Sequence, residues 1–439
     1  MSTDAAAQAG FELTPKQARR AIIAATTGNM LEFYDFITFT YFAIQIGQTF
    51  FPAELTSHGL MAALITFGAG FLSRPIGGYI LGHYADKHGR KPSMLLSMML
   101  MGTGMLILVL TPGYATIGIA APILAITARL IQGFALGGEV GSATSYLIET
   151  AAPEKRAITV SWQGASQNVA ATIGSLVGIG LSLWLSETEL TEYGWRIALA
   201  IGTLIVPFAL WIRSSLPETL HKPEEPDEVE DTGIRGYAKI LVLGFVMIGS
   251  GTIATYIFNY MATFGQDTLH FSTAISMTAE FGSNFVGVVF ILWGGWLADR
   301  IGRRKVMIWP QLLFCLSIVP FFIWFLDSGT PLAFITAVIV LSIFATPQYA
   351  GVYAALNESL PRAVRARAFA LVYSVPVTVL GGTTQPLTKW MLDVTGEPVV
   401  LAWYLTAISV IGLVAMILMK ETSPRHKLTP PLLGEPVPL

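Results

Sequence analysis

The chain carries little charge and almost no cysteine. Charged residues make up 12% of its 439 residues, about half the share usual in soluble proteins, while hydrophobic residues make up 53%. A soluble protein of this size could not cover its surface with so few charges. The single cysteine, Cys315, excludes a disulfide framework and a cysteine-ligated metal cluster. The net charge of −2 gives no general attraction for nucleic acid.

Sequence motifs of enzymes are also missing. There is no glycine-rich phosphate loop and no cluster of metal-ligating residues, and the six histidines are scattered. The first ten residues show no basic segment followed by a cleavable apolar core, so we expect no signal peptide. These absences predict a protein that is not an enzyme and that holds no cofactor or metal.

Long apolar runs take the place of these features. A helix needs about 20 apolar residues to cross the hydrocarbon core of a bilayer. The runs predict an all-α membrane protein with twelve transmembrane helices. The expected spans are 21–51, 59–82, 93–112, 116–148, 157–185, 195–215, 239–262, 272–297, 306–326, 331–357, 366–392 and 399–419.

The polar links between these runs alternate in their cations. All but four of the 26 Lys and Arg residues lie in alternate links or at the two termini. The positive-inside bias therefore predicts that these links and both termini are cytoplasmic. The longest link, 216–238, contains HKPEEPDEVED and is typical of a flexible linker. It divides the chain into an N-terminal bundle (1–215) and a C-terminal bundle (239–421), which a cytoplasmic tail (422–439) follows.

The two halves repeat three landmarks in the same order. GHYADKHGRK (Gly82–Lys91) follows span 2 and GWLADRIGRRK (Gly295–Lys305) follows span 8. Glu149 and Glu358 follow spans 4 and 10, each before a short basic segment, and the motifs PET and KETSP follow spans 6 and 12. A duplicated six-helix unit predicts two pseudo-symmetric bundles that rock about a site between them.

These landmarks resemble the major facilitator superfamily, whose best-known signature is the G-x-x-A-D-x-x-G-R segment. The resemblance covers essentially the whole chain. Three segments resemble the metabolite–proton symporters of this superfamily in particular: GNMLEFYDF (Gly28–Phe36), GFLSRPIGG (Gly70–Gly78) and ARLIQGFALGGEVGSATSYLIE (Ala128–Glu149). The sequence around FFPAE and the second segment looks closest to citrate and tricarballylate carriers. The resemblance implies a monomer in the lipid bilayer of a bacterial inner membrane.

The function implied by this resemblance is proton-coupled import of a small organic acid by alternating access, with citrate or a related di- or tricarboxylate as substrate. Gly164–Gly180 in span 5 contains no proline, unlike the glycine–proline pattern of proton-driven drug exporters, which favours import. A zwitterionic osmolyte such as proline or betaine, or a monocarboxylate such as shikimate, remains an alternative. A membrane sensor or a lipid enzyme would need a soluble signalling domain or a catalytic cluster, and the sequence offers neither.

Two arginines are expected deep in the membrane. Arg129 lies about 20 Å along span 4, near the midplane where such transporters bind substrate. Burying a charge there costs at least ~2.5–3.5 kcal/mol, so it is usually functional, and a guanidinium binds carboxylate bidentately. Gln132 shares its face of the helix. Arg74, next to the kinking Pro75, is the second candidate cation. The alternatives are an ion pair between Arg129 and an acid of span 1, and a structural role for Arg74.

Uncharged polar residues at mid-depth complete the predicted substrate site, although each alone can equally join two helices. They are Asn29, Gln163, Asn168, Tyr349 and Tyr353.

Three acids are candidates for proton coupling. Glu32 and Asp35 are three residues apart and share a face of span 1. Either is preferred to Glu139 of span 4. Desolvation makes proton binding near neutral pH possible, and a proton that neutralises the acid removes its repulsion of an anionic substrate. Alternatively, one acid only holds Arg129 or Arg74 in place.

The duplicated signature loops predict a cytoplasmic gate, because an Asp and an Arg at a helix end can bond to a neighbouring helix. The alternative is general positive-inside charge. The gate residues are Gly82, Asp86, Gly89, Arg90 and Glu149 in the first half, and Asp299, Gly302, Arg303 and Glu358 in the second.

Overall fold

The computed structural model describes residues 15–51, 56–88, 90–137, 144, 147, 151–214, 233–360 and 365–424. Several of the residues predicted above lie outside this description. Gly89, Glu139 and Glu149 fall outside the ranges. Four further residues fall in described helices, but their side chains are outside the description: Glu32, Gly82, Asp86 and Arg90.

Helices are the only regular elements in the described part of the chain. Their bounds are α1 Pro15–Tyr41, α2 Ala43–Phe50, α3 Thr56–Leu72, α4 Arg74–His88, α5 Arg90–Leu110, α6 Tyr114–Ile117, α7 Ala120–Gly137, α8 Arg156–Trp184, α9 Glu187–Glu189, α10 Trp195–Ser214, α11 Gly233–Asp267, α12 Thr273–Ile301, α13 Arg303–Ser328, α14 Pro331–Ala345, α15 Gln348–Ser359, α16 Arg365–Pro376, α17 Gly382–Thr395 and α18 Val400–Leu418. A 3₁₀ turn (Pro153–Lys155) and two π-helical segments (Leu190–Gly194 and Val377–Gly381) complete them.

Helix occupies each of the twelve predicted spans, and α7 covers the described part of span 4. Seven stretches of the described chain are long and apolar enough to cross a membrane: Gly59–Leu81, Ala120–Gly137, Ala238–Asp267, Thr273–Ile301, Arg303–Ser328, Pro331–Ser359 and Val400–Leu418. The first helix after the linker, α11, begins at Gly233 and therefore includes the last residues of the stretch predicted as linker.

Two predicted spans are broken next to a proline. Span 2 breaks at Ser73, just before Arg74 and Pro75, because Pro75 has no N–H to continue the helical ladder. The Ser73 hydroxyl donates to the carbonyl oxygens of Gly70 (3.1 Å) and Leu130 (2.7 Å), which bridges the break to α7. Span 10, predicted as continuous over 331–357, breaks between α14 and α15 at Pro347 for the same reason.

Glycines bring α7 into backbone contact with α3 and α4. A methyl group added at Gly133 would meet the carbonyl oxygen of Gly70, and one at Gly137 would meet that of Arg74. Gly133 and Gly137 are four residues apart on one face of α7, and their lack of a side chain is what allows this close packing. This contact fixes the helices that carry Arg74 and Arg129 against each other.

The two sequence halves meet along α8 and α12. A methyl at Gly178 of α8 would lie 3.1 Å from Met277 of α12, and one at Gly295 of α12 would lie 2.9 Å from the carbonyl oxygen of Ala157 of α8. These contacts stand near opposite ends of both helices. The halves therefore touch along most of the length of this helix pair in this state.

Candidate functional site

A cavity opens between the two halves of the chain. Its empty volume is about 540 Å³, a figure that includes the open solvent at its mouth. The first half contributes Phe33 and Gln167. The polar part of the wall from the second half is Thr252, Thr255, Tyr256, Gln348, Tyr349, Tyr353 and Tyr373. Among the described residues, no cluster of three or more His, Cys, Asp or Glu is placed to hold a metal.

Arg129 does not line this cavity but lies fully buried in α7. Its Nη1 donates to Oε1 of Gln132 at 2.7 Å and stands 3.6 Å from Oδ2 of Asp35, which is also fully buried. The Nε and Nη2 atoms have no acceptor, and neither carboxylate oxygen of Asp35 accepts a hydrogen bond. The charges are paired, but most of their hydrogen-bonding capacity is unused.

Aromatic rings surround the Arg129 guanidinium. Its central carbon lies 4.6 Å from the ring centre of Phe39, 4.8 Å from that of Phe36 and 5.3 Å from that of Phe67. These are cation–π distances, and ring faces stabilise a desolvated cation. The rings stabilise the charge without occupying its donor N–H groups.

Arg74 approaches the same aromatic cluster. Its guanidinium carbon lies 4.7 Å from the ring centre of Phe36 and 4.0 Å from that of Phe71, and its Nε and Nη2 have no acceptor. Phe36 is therefore in contact with both arginines. Tyr256, which lines the cavity, packs its ring against Phe71 at 5.3 Å between centres. One aromatic layer thus lies between the cavity and two guanidinium groups.

Three of the predicted substrate residues do not line the cavity. Asn29 donates to the Gln163 carbonyl oxygen (3.1 Å) and to Ser166 (2.7 Å), and the Gln163 side chain donates back to Asn29 (3.1 Å), which ties α1 to α8. Asn168 donates to the carbonyl oxygen of Gly164 at 2.9 Å, within α8. In this state Asn29 and Gln163 therefore join two helices, whereas the bond of Asn168 is internal to its own helix.

The two predicted tyrosines of span 10 do line the cavity. Tyr349 donates to the carbonyl oxygen of Gly251 at 2.9 Å and lies 3.2 Å from the hydroxyl of Thr255. Tyr353 packs its ring against Tyr349 and Tyr373, with 6.3 and 6.4 Å between centres. Both tyrosines therefore present polar groups on a wall that aromatic packing holds in place.

Sequence reasoning did not place some residues in the candidate site. Gln167 faces the cavity, whereas Gln163, one turn earlier on the same helix, does not. Tyr256 and Tyr373 also face the cavity, and a mid-span position gave the only signal for them. Glu280 is a buried acid within α12, 1% exposed, and its position inside the apolar run 272–297 was the available signal.

At the end of the helices predicted to be cytoplasmic, the second signature loop contacts the opposite half. Asp299, near the end of α12, accepts from the backbone N–H groups of Ala157 (3.0 Å) and Ile158 (2.9 Å). These groups lie in the first turn of α8, where N–H groups have no partner within the helix and the helix dipole favours negative charge. Asp299 thus caps a helix of the other half. Gly302, with a φ of 103° that favours glycine, then turns the chain into α13.

Arg303 connects three helix ends of the second half. Its Nε and Nη2 donate to the two oxygens of Glu358 (3.2 and 2.9 Å), and its Nη1 donates to the carbonyl oxygen of Ala298 (2.9 Å). Nη2 also stands 3.1 Å from Oδ1 of Asp299. Arg303 is fully buried, yet all three of its side-chain nitrogens are bonded.

Glu421 completes this network just after α18. Its carboxylate accepts from the backbone N–H groups of Arg303 (2.9 Å) and Arg304 (3.0 Å) at the start of α13. It also accepts from those of Thr422 (3.1 Å) and Ser423 (2.9 Å). Burial raises the pKa of Glu421, but these four donors outweigh it and hold the pKa below its ordinary value.

Comparison with known proteins agrees with this architecture. Residues 20–226 match the family described as "Sugar (and other) transporter", and residues 277–439 match the major facilitator superfamily. A solved proton–xylose symporter bound to 6-bromo-6-deoxy-D-glucose superimposes with a TM-score of 0.76. It is 15% identical and covers 94% of this chain and 98% of its own, a likeness of fold alone.

Relatives found by comparing sequences have a higher identity to this chain than that solved structure has. A citrate–proton symporter of Salmonella typhi is 36% identical over 90% of this chain and 92% of its own length. The alpha-ketoglutarate permease of Escherichia coli K12 is 32% identical over 94% and 96%. A proline/betaine transporter of Salmonella typhimurium is 31% identical over 93% and 84%.

These relatives are transporters, not enzymes, and their similarity extends over nearly the whole chain. With the helical fold and the duplicated signature loops, they show that the chain belongs to the major facilitator superfamily, among its metabolite–proton symporters.

Proposed function

We propose that this protein imports citrate or a related di- or tricarboxylate together with protons by alternating access. The chain crosses the inner membrane of a bacterium twelve times as a monomer, with both termini in the cytoplasm. The bundles 1–215 and 239–421 move against each other. The proposal is supported by the two relatives that carry citrate–proton symporter names, at 36% and 34% identity.

The observation that carries the proposal is the incomplete pairing of Arg129. Two of its side-chain nitrogens lack an acceptor although the group is fully buried, while Asp35 stands 3.6 Å from the third. A substrate carboxylate can accept from both free nitrogens in a bidentate contact. Arg74, which also contacts the Phe36 ring, supplies the second cation for a second carboxylate. Gln132 orients the Arg129 fork through its 2.7 Å bond.

Proton coupling follows from the competition for Arg129. While Asp35 is ionised, it holds the guanidinium by charge and reduces the attraction for an anion. A proton on Asp35 removes that competitor, so substrate binding and proton binding favour each other. Glu32 and Glu139, predicted as further proton sites, lie outside the described side chains and belong to the proposal as alternatives to Asp35.

The cytoplasmic contacts act as the inner gate. Asp299 bonds to the first turn of α8 across the two halves, so the halves cannot part at this end without breaking both N–H bonds. Arg303 and Glu358 hold Asp299 in position. By the sequence repeat, Asp86, Arg90 and Glu149 form the equivalent group in the first half.

A zwitterionic substrate is the second candidate. The proline/betaine relative at 31% identity favours it, since a zwitterion would place its carboxylate on Arg129 and its cationic nitrogen near Asp35 or on the tyrosine faces of the cavity. The two arginines that contact Phe36 have a single carboxylate, Asp35, beside them, and this favours a polyanion.

Uptake by reconstituted protein tests the proposal. We expect an inward proton gradient to drive accumulation of labelled citrate, with weaker uptake of 2-oxoglutarate, shikimate and betaine, and an ionophore that collapses the gradient to stop it. Uptake of citrate that the gradient leaves unchanged would contradict symport. Preferential accumulation of betaine would show that the substrate is a zwitterion and not a polycarboxylate.

A further inference from the structure

A second buried carboxylate lies in the other half of the molecule. Glu280 stands about 10 Å along α12 from its first residue, Thr273. Its side chain is 1% exposed and does not line the cavity. The substrate site described above uses Arg129, Arg74 and Asp35 and leaves Glu280 without a role.

The partners of Glu280 are uncharged and come from both halves. Tyr41 at the end of α1 donates its hydroxyl to Oε2 at 3.2 Å, and the amide of Asn284 donates to the same oxygen at 3.2 Å. Asn284 also donates to the Tyr41 hydroxyl at 2.9 Å, which closes a triangle. The other oxygen, Oε1, has no hydrogen-bond partner.

No cation accompanies this carboxylate in the described part of the chain, where Tyr41 is the only titratable side chain that hydrogen-bonds to it. The helices packed against α12 are α8, α11, α13, α14 and α15. Their charged residues stand at or near helix ends: Arg156, Arg235, Lys239, Asp267, Arg303, Arg304, Lys305, Asp327 and Glu358. Asp267 is paired with Lys389 at 2.9 Å. On α1, Asp35 is paired with Arg129.

Enclosing an ionised carboxylate without a cation costs far more than enclosing the neutral acid. Asp35 has a guanidinium to offset this cost, and Glu280 has only two weak donors on one oxygen. The geometry therefore suits a group that carries a proton while enclosed and releases it when water reaches it. We propose that Glu280 is a second proton-binding residue of the transport cycle. This inference rests on the proton symport proposed above.

Further polar groups lie on both sides of Glu280, toward the predicted external end and toward Asp35. Toward the side assigned as external, Gln45 and Gln266 approach at 3.4 Å, and Thr273 donates to Gln266 at 2.9 Å and to the Glu187 carboxylate at 3.4 Å. Toward the substrate site, Tyr41 lies about 9 Å along α1 from Asp35. The buried hydroxyl of Thr38, which has no hydrogen-bond partner, stands between them in sequence. These groups outline a route for protons from outside to Asp35.

The contact between Tyr41 and Glu280 also connects the proton to the movement of the halves. Tyr41 belongs to the first half and Glu280 to the second, so parting of the outer ends breaks their bond and opens the carboxyl group to water. Glu280 takes up a proton from outside water at this stage and is enclosed with it when the outer side closes. Once the inner side is open and Asp35 has released its own proton there, the proton of Glu280 passes by way of Tyr41 to Asp35 and also leaves on the inside. One proton more is then carried per substrate than Asp35 alone supplies.

Proton stoichiometry tests this inference. Proteoliposomes that contain a pH-sensitive dye and receive labelled citrate give protons moved per citrate for wild type and Glu280→Gln. We expect Glu280→Gln to move one proton fewer per citrate and to accumulate less citrate in the same gradient, while citrate–citrate exchange, which needs no net proton movement, continues. Glu397→Gln, on an exposed loop, removes a matched acid and should leave the ratio unchanged.

An unchanged ratio in a folded Glu280→Gln protein would overturn the inference. If that variant does not fold, Glu280→Asp and Tyr41→Phe decide the question through the pH profile of uptake. We expect both profiles to shift from that of wild type, and two unshifted profiles would also overturn the inference. Wild-type uptake that ignores the proton gradient would contradict the proposed function itself, and the wild-type measurement alone shows that.

Discussion

Arg303 and Arg129 are both fully buried arginines beside an aspartate, yet their surroundings differ. All three side-chain nitrogens of Arg303 donate hydrogen bonds, and it shares a bidentate contact with Glu358. Arg129 makes one side-chain hydrogen bond, to Gln132, and leaves Nε and Nη2 free. Burial is the same for the two arginines, so it does not distinguish a structural arginine from a functional one.

The two arginines differ in how many of their side-chain nitrogens lack a hydrogen-bond acceptor. A buried donor without an acceptor carries the full cost of its desolvation, about 1–3 kcal/mol and more for a charged group. Arg303 has no such cost, which fits a permanent lock between helix ends. Arg129 bears it in this state, which fits a group whose remaining acceptors arrive in another state of the cycle. The hydrogen bonding of the network around Arg303 is complete, and that of the pair formed by Arg129 and Asp35 is incomplete.

Removing Arg303 should lower the stability of the protein more than removing Arg129. Arg303→Gln leaves Glu358 and Asp299 buried without their cation, so we expect a loss of about 3–5 kcal/mol. Thermal unfolding in detergent measures it. The double variant Arg303→Gln/Glu358→Gln should recover part of the loss, because it removes an unpaired charge. Equal stability of wild type and Arg303→Gln would mean that the network does not act as a lock.

Removing Arg129 should instead affect transport. Arg129→Gln deletes two charge-assisted bonds to a substrate carboxylate, so we expect citrate uptake to fall on the order of 100-fold. The unfolding temperature should change less than in Arg303→Gln, because Arg129 gives up fewer hydrogen bonds. Arg196→Gln, in the first turn of α10, is the matched control and should retain uptake. Near-normal uptake by folded Arg129→Gln protein would remove Arg129 from the site.

The smallest expected effect concerns Glu421 and pH. Its pKa is lower in the folded protein than in the unfolded chain, so its contribution to stability is fully present above the unfolded value of about 4.3. That contribution is lost as the pH falls below this value through the lower folded pKa. Because the carboxylate is only half-buried, screening limits the effect to about 1 kcal/mol.

Unfolding temperatures of wild type and Glu421→Gln between pH 7 and pH 3 check this effect. We expect the gap between the two proteins to narrow as the pH falls. A gap that stays constant over this range would show that the ionised carboxylate does not support the network around Arg303.

The sequence predicted the helices well because the membrane imposes a simple pattern. In the described part of the chain, helix is found within every predicted span, and seven stretches are long and apolar enough to cross a membrane. The break at Pro347 was not predicted, because a proline within an apolar run does not always end the helix. Pro310 and Pro320, for example, lie inside α13 without ending it. Whether a proline kinks or interrupts a helix depends on neighbouring carbonyl partners, which the sequence does not reveal.

The site was harder to predict, because polar contacts between distant helices leave no local signal. The spacing of Glu32 and Asp35 indicated an acid near Arg129, and the structure places Asp35 beside it. Nothing in the sequence indicated the two guanidinium nitrogens that lack an acceptor. Gln163 and Gln167 are one helical turn apart, and only the packing of α1 decides which one reaches the cavity. Glu280 has its partner Tyr41 in the other half of the chain.

Citrate binding as a function of pH tests the central claim, that Asp35 and substrate compete for Arg129. Titration of detergent-solubilised wild type and Asp35→Asn with citrate gives the affinity at each pH. We predict that wild type binds more weakly as the pH rises, whereas Asp35→Asn, which cannot hold the guanidinium by charge, binds tightly throughout and loses most of this dependence. An Asp35→Asn protein that binds citrate with the wild-type pH dependence would contradict the account.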